Sequence, residues 1–341
     1  MTEPLLSVED LKVHFPVPVG DKLFRKQIGM LKAVDGVSFS IAPGEALGVV
    51  GESGCGKSTL GRAILRLVDA TDGRVLWLGQ DVLPLGQKAM RPLRREMQIV
   101  FQDPLSTHNP RMTVGAIIGE PLTVFEPDMP AEKREAAIED IMQAVGLNPE
   151  FRTRYPHELS GGQSQRVSIA RAMIMRPKLV VCDEPVSALD VSTQAQVINL
   201  IRTLKQEYGV SILFISHDLS VVHQLCERVM VMYLGKVMEI GSRAAIFHNP
   251  LHPYTRALID AVPRPDPLRE RERKRVAISG EIPSPIDPPS GCVFRTRCPH
   301  AARPCIEHVP PLEDSGAQKV ACLLWRDIQS AEPAEEEKAS V

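Results

Sequence analysis

The sequence has no excess of charge of either sign: 40 Lys and Arg stand against 42 Asp and Glu in 341 residues, a net charge of -2. So balanced a chain carries no bulk basic footprint for nucleic acid or an anionic bilayer. Long hydrophobic runs are missing as well. No stretch reaches the roughly 18 uncharged apolar residues that crossing a bilayer requires, and the opening MTEPLLSVEDLKVHF has no basic segment leading into an apolar one. The expectation is a cytosolic chain that reaches a membrane only through a partner. No internal repeat is visible. Cysteine is sparse, seven in all, and none forms the close C-x₂₋₄-C pair common in structural zinc sites. What is present is 43% hydrophobic residues, enough for a sizeable core in one large domain plus a smaller one, or in two modest ones.

Apolar alternation in LLSVEDLKVHF and AVDGVSFSI predicts two half-buried strands, joined through the polar, basic insert PVPVGDKLFRKQIGM by a long hairpin loop. Pro43 and Gly44 mark a turn, after which EALGVVG reads as a short strand buried on both faces of a parallel sheet. KSTLGRAILRLV has helical periodicity, and GRVLWLGQDV is a strand bounded by glycines. Helix-like patterns dominate from about Thr113 to Met175. The strands KLVVCDEP and VSILFISHD then flank the helical STQAQVINLIRTLKQEYG, and the alternation predicts an α/β core with a mostly helical insertion. From about Arg243 the texture turns proline-rich, in NPLHPY, VPRPDP and IPSPIDPP, and predicts an irregular extension. RERERKR at 269–275 is either a contact for phosphate or a partner, or a solvated stretch; AEPAEEEKASV reads as a disordered acidic tail.

GESGCGKS at 51–58 fits G-x-x-x-x-G-K-[ST] between a buried strand and a helix. In such a loop the backbone N–H groups of Gly51, Ser53, Gly54, Cys55 and Gly56 close around phosphates. Lys57 reaches the β- and γ-phosphates, Ser58 offers its hydroxyl to Mg²⁺, and Thr59 adds a phosphate hydrogen bond. The loop needs an acidic partner at a neighbouring strand end, and LVVCDEP supplies Asp183 for the Mg²⁺ shell with Glu184 beside it to polarise the attacking water. His217, in FISHD at the end of the next strand, is placed to contact the γ-phosphate. LSGGQ at 159–163 precedes another helix, so Ser160, Gly161, Gly162 and Gln163 make a second N-terminus suited to phosphate. One P-loop with two phosphate grips implies two molecules.

Together with Gln102 in VFQDP and Asp190 in SALD, these motifs resemble, in order, those of an ATP-binding-cassette (ABC) ATPase over about residues 5 to 245. The resemblance implies a P-loop, RecA-like α/β core with an antiparallel β subdomain and a helical subdomain at about 103–175. It implies a head-to-tail dimer in which each ATP is held by the P-loop of one subunit and by Ser160 and Gly162 of the other, closing on ATP and opening on hydrolysis. Glu184, His217 and Gln102 are then the catalytic residues. Gln102 also senses the γ-phosphate and joins Ser58 and Asp183 at Mg²⁺, while Asp190 bridges the two sites. Phe15 is the candidate for stacking on adenine, with a core position as the equal alternative. The chain has neither the second cassette of translation factors nor the long coiled coil of chromosome proteins, and the stretch from Lys57 to Ser160 matches a transporter-sized insertion.

More narrowly, LKAVDGVSF, GVVGESGCGKSTLGRAI, FQDPLSTHNPRM and HNPLHPYTRALIDAVP resemble the dipeptide and oligopeptide importer ATPases, the F-type above the D-type, over about residues 5 to 325. Thr107-His108 stand where Ser-Leu is usual, and Ser164 stands where a basic or amide residue follows LSGGQ; neither change removes a catalytic group. The resemblance implies an ATPase domain at 1–245, an importer-type extension at 246–328 and a tail at 329–341. Implied partners are a D-type ATPase, two membrane permeases and an extracytoplasmic solute-binding protein, with no nucleic acid, at the cytoplasmic face of the inner membrane. The competing function is a cytosolic ABC ATPase acting on a ribosome or DNA. Cys55, Cys182 and Cys226 are isolated, buried or incidental thiols. The other four are spaced C-x₅-C-x₆-C-x₁₆-C, which by itself selects no metal, and a reducing cytosol disfavours disulfides. Within the importer resemblance, Cys292, Cys298, Cys305 and Cys322 look like the ligands of a [4Fe–4S] cluster, with Zn²⁺ or free thiols as alternatives and a structural or redox-sensing role.

Overall fold

Alternating apolar residues build a long hairpin from β1 (Leu6–Val19) and β2 (Gln27–Ile41), paired antiparallel from Leu6↔Ile41 to Val19↔Gln27. The structure, a computed structural model, describes residues 3–19, 27–262 and 280–331. Of the insert expected as a loop, residues 16–19 and 27–30 are ladder, and 20–26 lie outside the described residues. Pro16 and Pro18 are tolerated there because, two residues apart, they share one strand edge, and β4 (Asp72–Trp77) pairs with β1 only between Leu6 and Lys12. With β5 (Gln80–Asp81) these strands form a four-stranded antiparallel sheet, order β2-β1-β4-β5.

Among the described residues the main sheet has eight strands. β3 (Ala46–Val50), β6 (Met97–Val100), β7 (Leu179–Asp183), β8 (Ser211–Ile215) and β9 (Arg228–Tyr233) run parallel, in the order β9-β3-β8-β7-β6. Every residue of β3, β7 and β8 is buried, as a sheet covered on both faces requires. The parallel register brings the carboxyl ends of β3, β6, β7 and β8 to one edge, where ligands of open α/β sheets bind. On the far side β10 (Lys236–Ser242), β12 (Gln318–Val320) and β11 (Glu313–Asp314) continue the sheet antiparallel. β6, β9 and β10 add to the strands expected from the sequence.

The helical insertion is built on helices Val114–Phe125, Ala131–Ala144 and Gly161–Met173, whose Ile117, Ile118, Met142 and Val167 bury into one apolar cluster. The proline-rich extension has more order than its composition suggests. Helix Pro253–Ala261 starts where buried Glu239 of β10 accepts the N–H groups of Leu251 (2.7 Å) and His252 (3.0 Å), and β12 pairs with β10 from Glu239↔Val320. Among the described residues no helix is long and apolar enough to cross a membrane. RERERKR and the acidic tail lie outside the described residues.

Candidate active site

The P-loop is wedged between two strands at Gly51 and Gly56, which is why neither position carries a side chain. A Cβ on Gly51 would lie 2.2 Å from the Met232 carbonyl oxygen of β9, and one on Gly56 1.9 Å from that of Ala33 in β2; both have positive φ, 153° and 104°. Ser53 and Gly54 are exposed at the loop tip, Cys55 is buried, and helix Lys57–Ile64 starts immediately after Gly56 with Thr59 in its first turn. Lys57 is buried on the inner side of the loop. Its Nζ donates to the carbonyls of Gly51 (2.8 Å) and Glu52 (3.0 Å). A cation thus lies beneath a helix N-terminus whose field favours anions.

Ser58 Oγ donates to Asp183 Oδ1 at 2.6 Å across the β3–β7 edge. Asp183 is buried, and its Oδ2 has no hydrogen-bond partner; Arg62 Nη2 stands 3.5 Å away, in ion-pair reach but outside hydrogen-bond geometry. A buried, underused carboxylate oxygen beside a hydroxyl is a donor set that suits a hard cation such as Mg²⁺. Glu184 follows with φ +48°, a left-handed backbone uncommon for a residue with a side chain and concentrated at functional sites. Its N–H still extends the ladder, donating to the Ile215 carbonyl (3.0 Å), while the turn aims its carboxylate at two neighbours. Gln102 Nε2 donates to Glu184 Oε2 at 3.1 Å, and His217 Nδ1 lies 3.2 Å from the same oxygen. Three strand ends, those of β6, β7 and β8, therefore converge on one carboxylate oxygen beside the Ser58–Asp183 pair. The arrangement can hold a metal-bound phosphate chain and orient a water against it.

The residues expected to form the second phosphate grip lie elsewhere. Ser160 caps helix Gly161–Met173 in a reciprocal box: its hydroxyl accepts the Gln163 N–H (3.3 Å) and its own N–H donates to Gln163 Oε1 (3.0 Å). Ser160, Gly161, Gly162, Gln163 and Asp190 line an open cleft of about 530 Å³ that includes no P-loop residue. Asp190 caps helix Val191–Tyr208. The Ser192 and Thr193 hydroxyls (2.6 and 2.7 Å) and the Thr193 N–H (3.0 Å) hold its carboxyl well below the usual range. Phe15 pairs with Leu31 and is half-buried against the core of the antiparallel sheet.

Cys292, Cys298, Cys305 and Cys322 line one small pocket with Phe294, Leu324 and Ile328. None of the four is in a disulfide; burial pushes Cys298 up to about 11 and Cys322 up to about 12, with the neighbouring cysteines adding in the same direction. Among the described residues no group of three or more His, Cys, Asp or Glu side chains is positioned around a single ion. Three residues to which the sequence analysis gives no role lie against this machinery: Arg62, Tyr254 and Arg297. Arg62 is four residues past Ser58 and so on its helical face, a signal that was available. The other two reach the P-loop only through tertiary contacts.

Fold and site together define a P-loop ATPase of the ABC class. Residues 34–187 match the family described as "ABC transporter", and residues 238–305 match "Oligopeptide/dipeptide transporter, C-terminal region". The chain is 54% identical over 319 residues to the oligopeptide transport ATP-binding protein OppF of Salmonella typhimurium, covering 94% of this chain and 96% of that one. It is 49% identical over 323 residues to the dipeptide transport ATP-binding protein DppF of Escherichia coli, covering 95% of each. A solved dimeric post-hydrolysis structure of the ATP-binding cassette MJ0796, bound to ADP and Pi, superposes with TM-score 0.62 at 27% identity, covering 70% of this chain and 98% of that one. The chain belongs to the ATP-binding proteins of the oligopeptide/dipeptide ABC transporters.

Proposed function

We propose that the chain is the ATP-hydrolysing subunit that powers import of dipeptides, oligopeptides or a related small solute. The observation that carries the mechanism is the convergence of Gln102, Glu184 and His217 beside Ser58 and Asp183. In this reading Lys57, the loop amides and Thr59 bind the phosphates, and Ser58 and Asp183, with Gln102, would hold Mg²⁺. Bound there, Mg²⁺ would supply positive charge to offset the negative charge developing on the phosphate chain. Glu184 takes a proton from the water that attacks the γ-phosphorus as ADP leaves; His217 and Gln102 orient that water and the γ-phosphate. Ser160, Gly161, Gly162 and Gln163 complete the site of a second cassette, which explains why they share no pocket with the chain's own P-loop, and Asp190 lies at the junction. Phe15 stacks on adenine from the long hairpin.

The second cassette is a D-type subunit, and the pair sits at the cytoplasmic face of the membrane beneath two permeases fed by a solute-binding protein. The working division is an ATPase domain at 1–245, an importer-type extension at 246–328 and a tail at 329–341. For the four thiols we favour a [4Fe–4S] cluster over Zn²⁺. In a cluster each iron takes one thiolate, so four sulfurs around a shared pocket need not meet at one ion, whereas tetrahedral zinc requires that they do. Anaerobic purification with iron and sulfide supports the cluster; stoichiometric zinc in colourless protein replaces it.

The test of function is purification of the tagged chain from membranes and reconstitution in vesicles. Recovery of two permeases with peptide-dependent ATP hydrolysis is the expected result. Recovery of ribosomes or DNA without a membrane subunit would favour the macromolecule-acting class instead.

A further inference from the structure

Glu52 is the first variable residue of GESGCGKS, and each of its polar groups is engaged. Its carbonyl accepts from Lys57 Nζ (3.0 Å), inside the loop. Its N–H and its carboxylate are both taken by the C-terminal extension. Tyr254 Oη, from helix Pro253–Ala261, accepts the Glu52 N–H at 2.9 Å. Arg297 holds the carboxylate in a fork, Nη1 to Oε2 at 2.6 Å and Nη2 to Oε1 at 3.0 Å. The pairing bridges 245 positions of sequence, and the Arg297 side chain is 7% exposed.

Arg297 is itself fixed from below by the thiol segment. Cys292 donates its N–H to the Cys305 carbonyl (2.8 Å), Arg297 closes a turn onto the Phe294 carbonyl (3.0 Å), and Cys298 follows directly. Phe294 is wholly buried against Tyr233 and Tyr254, with ring centroids 5.3 and 5.2 Å away, and Arg297 Nη1 lies 3.3 Å from Tyr233 Oη. A bidentate, water-poor Arg–carboxylate pair fixes both partners in distance and in angle. A displacement of the Cys292–Cys298 segment therefore moves the guanidinium, and with it the loop residue whose carbonyl holds Lys57.

We propose that the extension is a positioning element of the ATP site: Arg297, set between two of the four cysteines, clamps Glu52 so that the integrity of the four-thiol module sets the affinity of the P-loop for ATP. The proposal rests on reading 51–58 as the ATP loop, and it holds for either metal. Arg297 touches no phosphate in this scheme; it acts through Glu52.

The test uses the full chain in its transporter complex. Arg297→Met should raise both the Kd for Mg²⁺–AMP-PNP and the KM for ATP about tenfold, within the usual range of coupling between linked sites, and leave kcat and metal content little changed. Amide exchange across 51–58 should accelerate in the same variant. Arg297→Lys should restore part of the affinity, since an ammonium supplies charge without the fork. Cys298→Ser should weaken binding by a similar factor in the parent and add little in an Arg297→Met background, because both changes break one link. Unchanged nucleotide affinity and loop exchange in Arg297→Met would overturn the proposal. So would a Cys298→Ser effect equally large with and without Arg297, or absent in both. Failure of the parent complex to bind nucleotide would instead overturn the ATP-loop reading itself.

Discussion

Glu184 shows how one residue combines legible chemistry with illegible geometry. Its place after an apolar strand and an Asp makes it the proposed catalytic carboxylate, but its left-handed backbone, which aims the side chain at Gln102 and His217, belongs to the end of the β7–β8 ladder. Glu184→Gln keeps the shape and removes the proposed base. ATP hydrolysis by the complex should fall about 10³-fold, roughly 4 kcal/mol of transition-state stabilisation, with ATP binding retained in an equilibrium binding assay. Two buried histidines make a second residue-scale prediction. Desolvation lowers His252 to about 3 and His108 to about 4. Unfolded, both bind a proton near the ordinary histidine value of about 6.5, so below it the unfolded state holds more protons. Stability is therefore full above about pH 6.5 and falls as pH drops toward these folded values. Thermal melts at pH 7.5 and pH 5 should differ by on the order of 5 °C, and His108→Leu should lessen the difference.

Among the elements, those with a strong local period were readable and those defined by distant pairing were not. β3, β7 and β8 are continuous apolar runs, buried on both faces, and declare themselves. β12 is only three residues long, and its strand identity comes from β10 some 80 positions earlier, with Glu239 opposite Val320. β6 is four residues pressed against β7, too short for any periodicity to register. The extension reads as irregular because its order comes from rings and a buried carboxylate instead of a repeating pattern. Phe294→Ala would leave a void among Tyr233, Tyr254 and His252. Denaturation should show a loss of about 3 kcal/mol, and a native-like midpoint would remove Phe294 as the anchor.

On the scale of the whole molecule, the P-loop and the Ser160 cleft, proposed here as two half-sites, do not meet in one chain. The P-loop, Asp183 and Glu184 collect at one sheet edge, while Ser160 and Gly162 line a cleft shared with Asp190. A substitution in the second half-site should then separate binding from turnover. Ser160→Arg should bind ATP at its own P-loop with near-parent affinity yet lose at least about 10²-fold in hydrolysis within the assembled complex, the scale of a missing transition-state donor. Equal loss of binding and turnover would place Ser160 in the chain's own ATP site.

By itself the sequence determined the α/β core, the ATPase class and the phosphate loop, and it supplied the residues proposed here as metal-side aspartate, catalytic glutamate and grip on a second cassette. Each of these is written in a short contiguous motif whose chemistry depends on neighbours one or a few residues apart. Only the tertiary structure decided that Gln102, Glu184 and His217 share one oxygen and that Arg297 grips the P-loop. Those contacts are set by strand order and by the docking of Phe294 on Tyr233 and Tyr254, and no local pattern encodes a pairing across 245 residues.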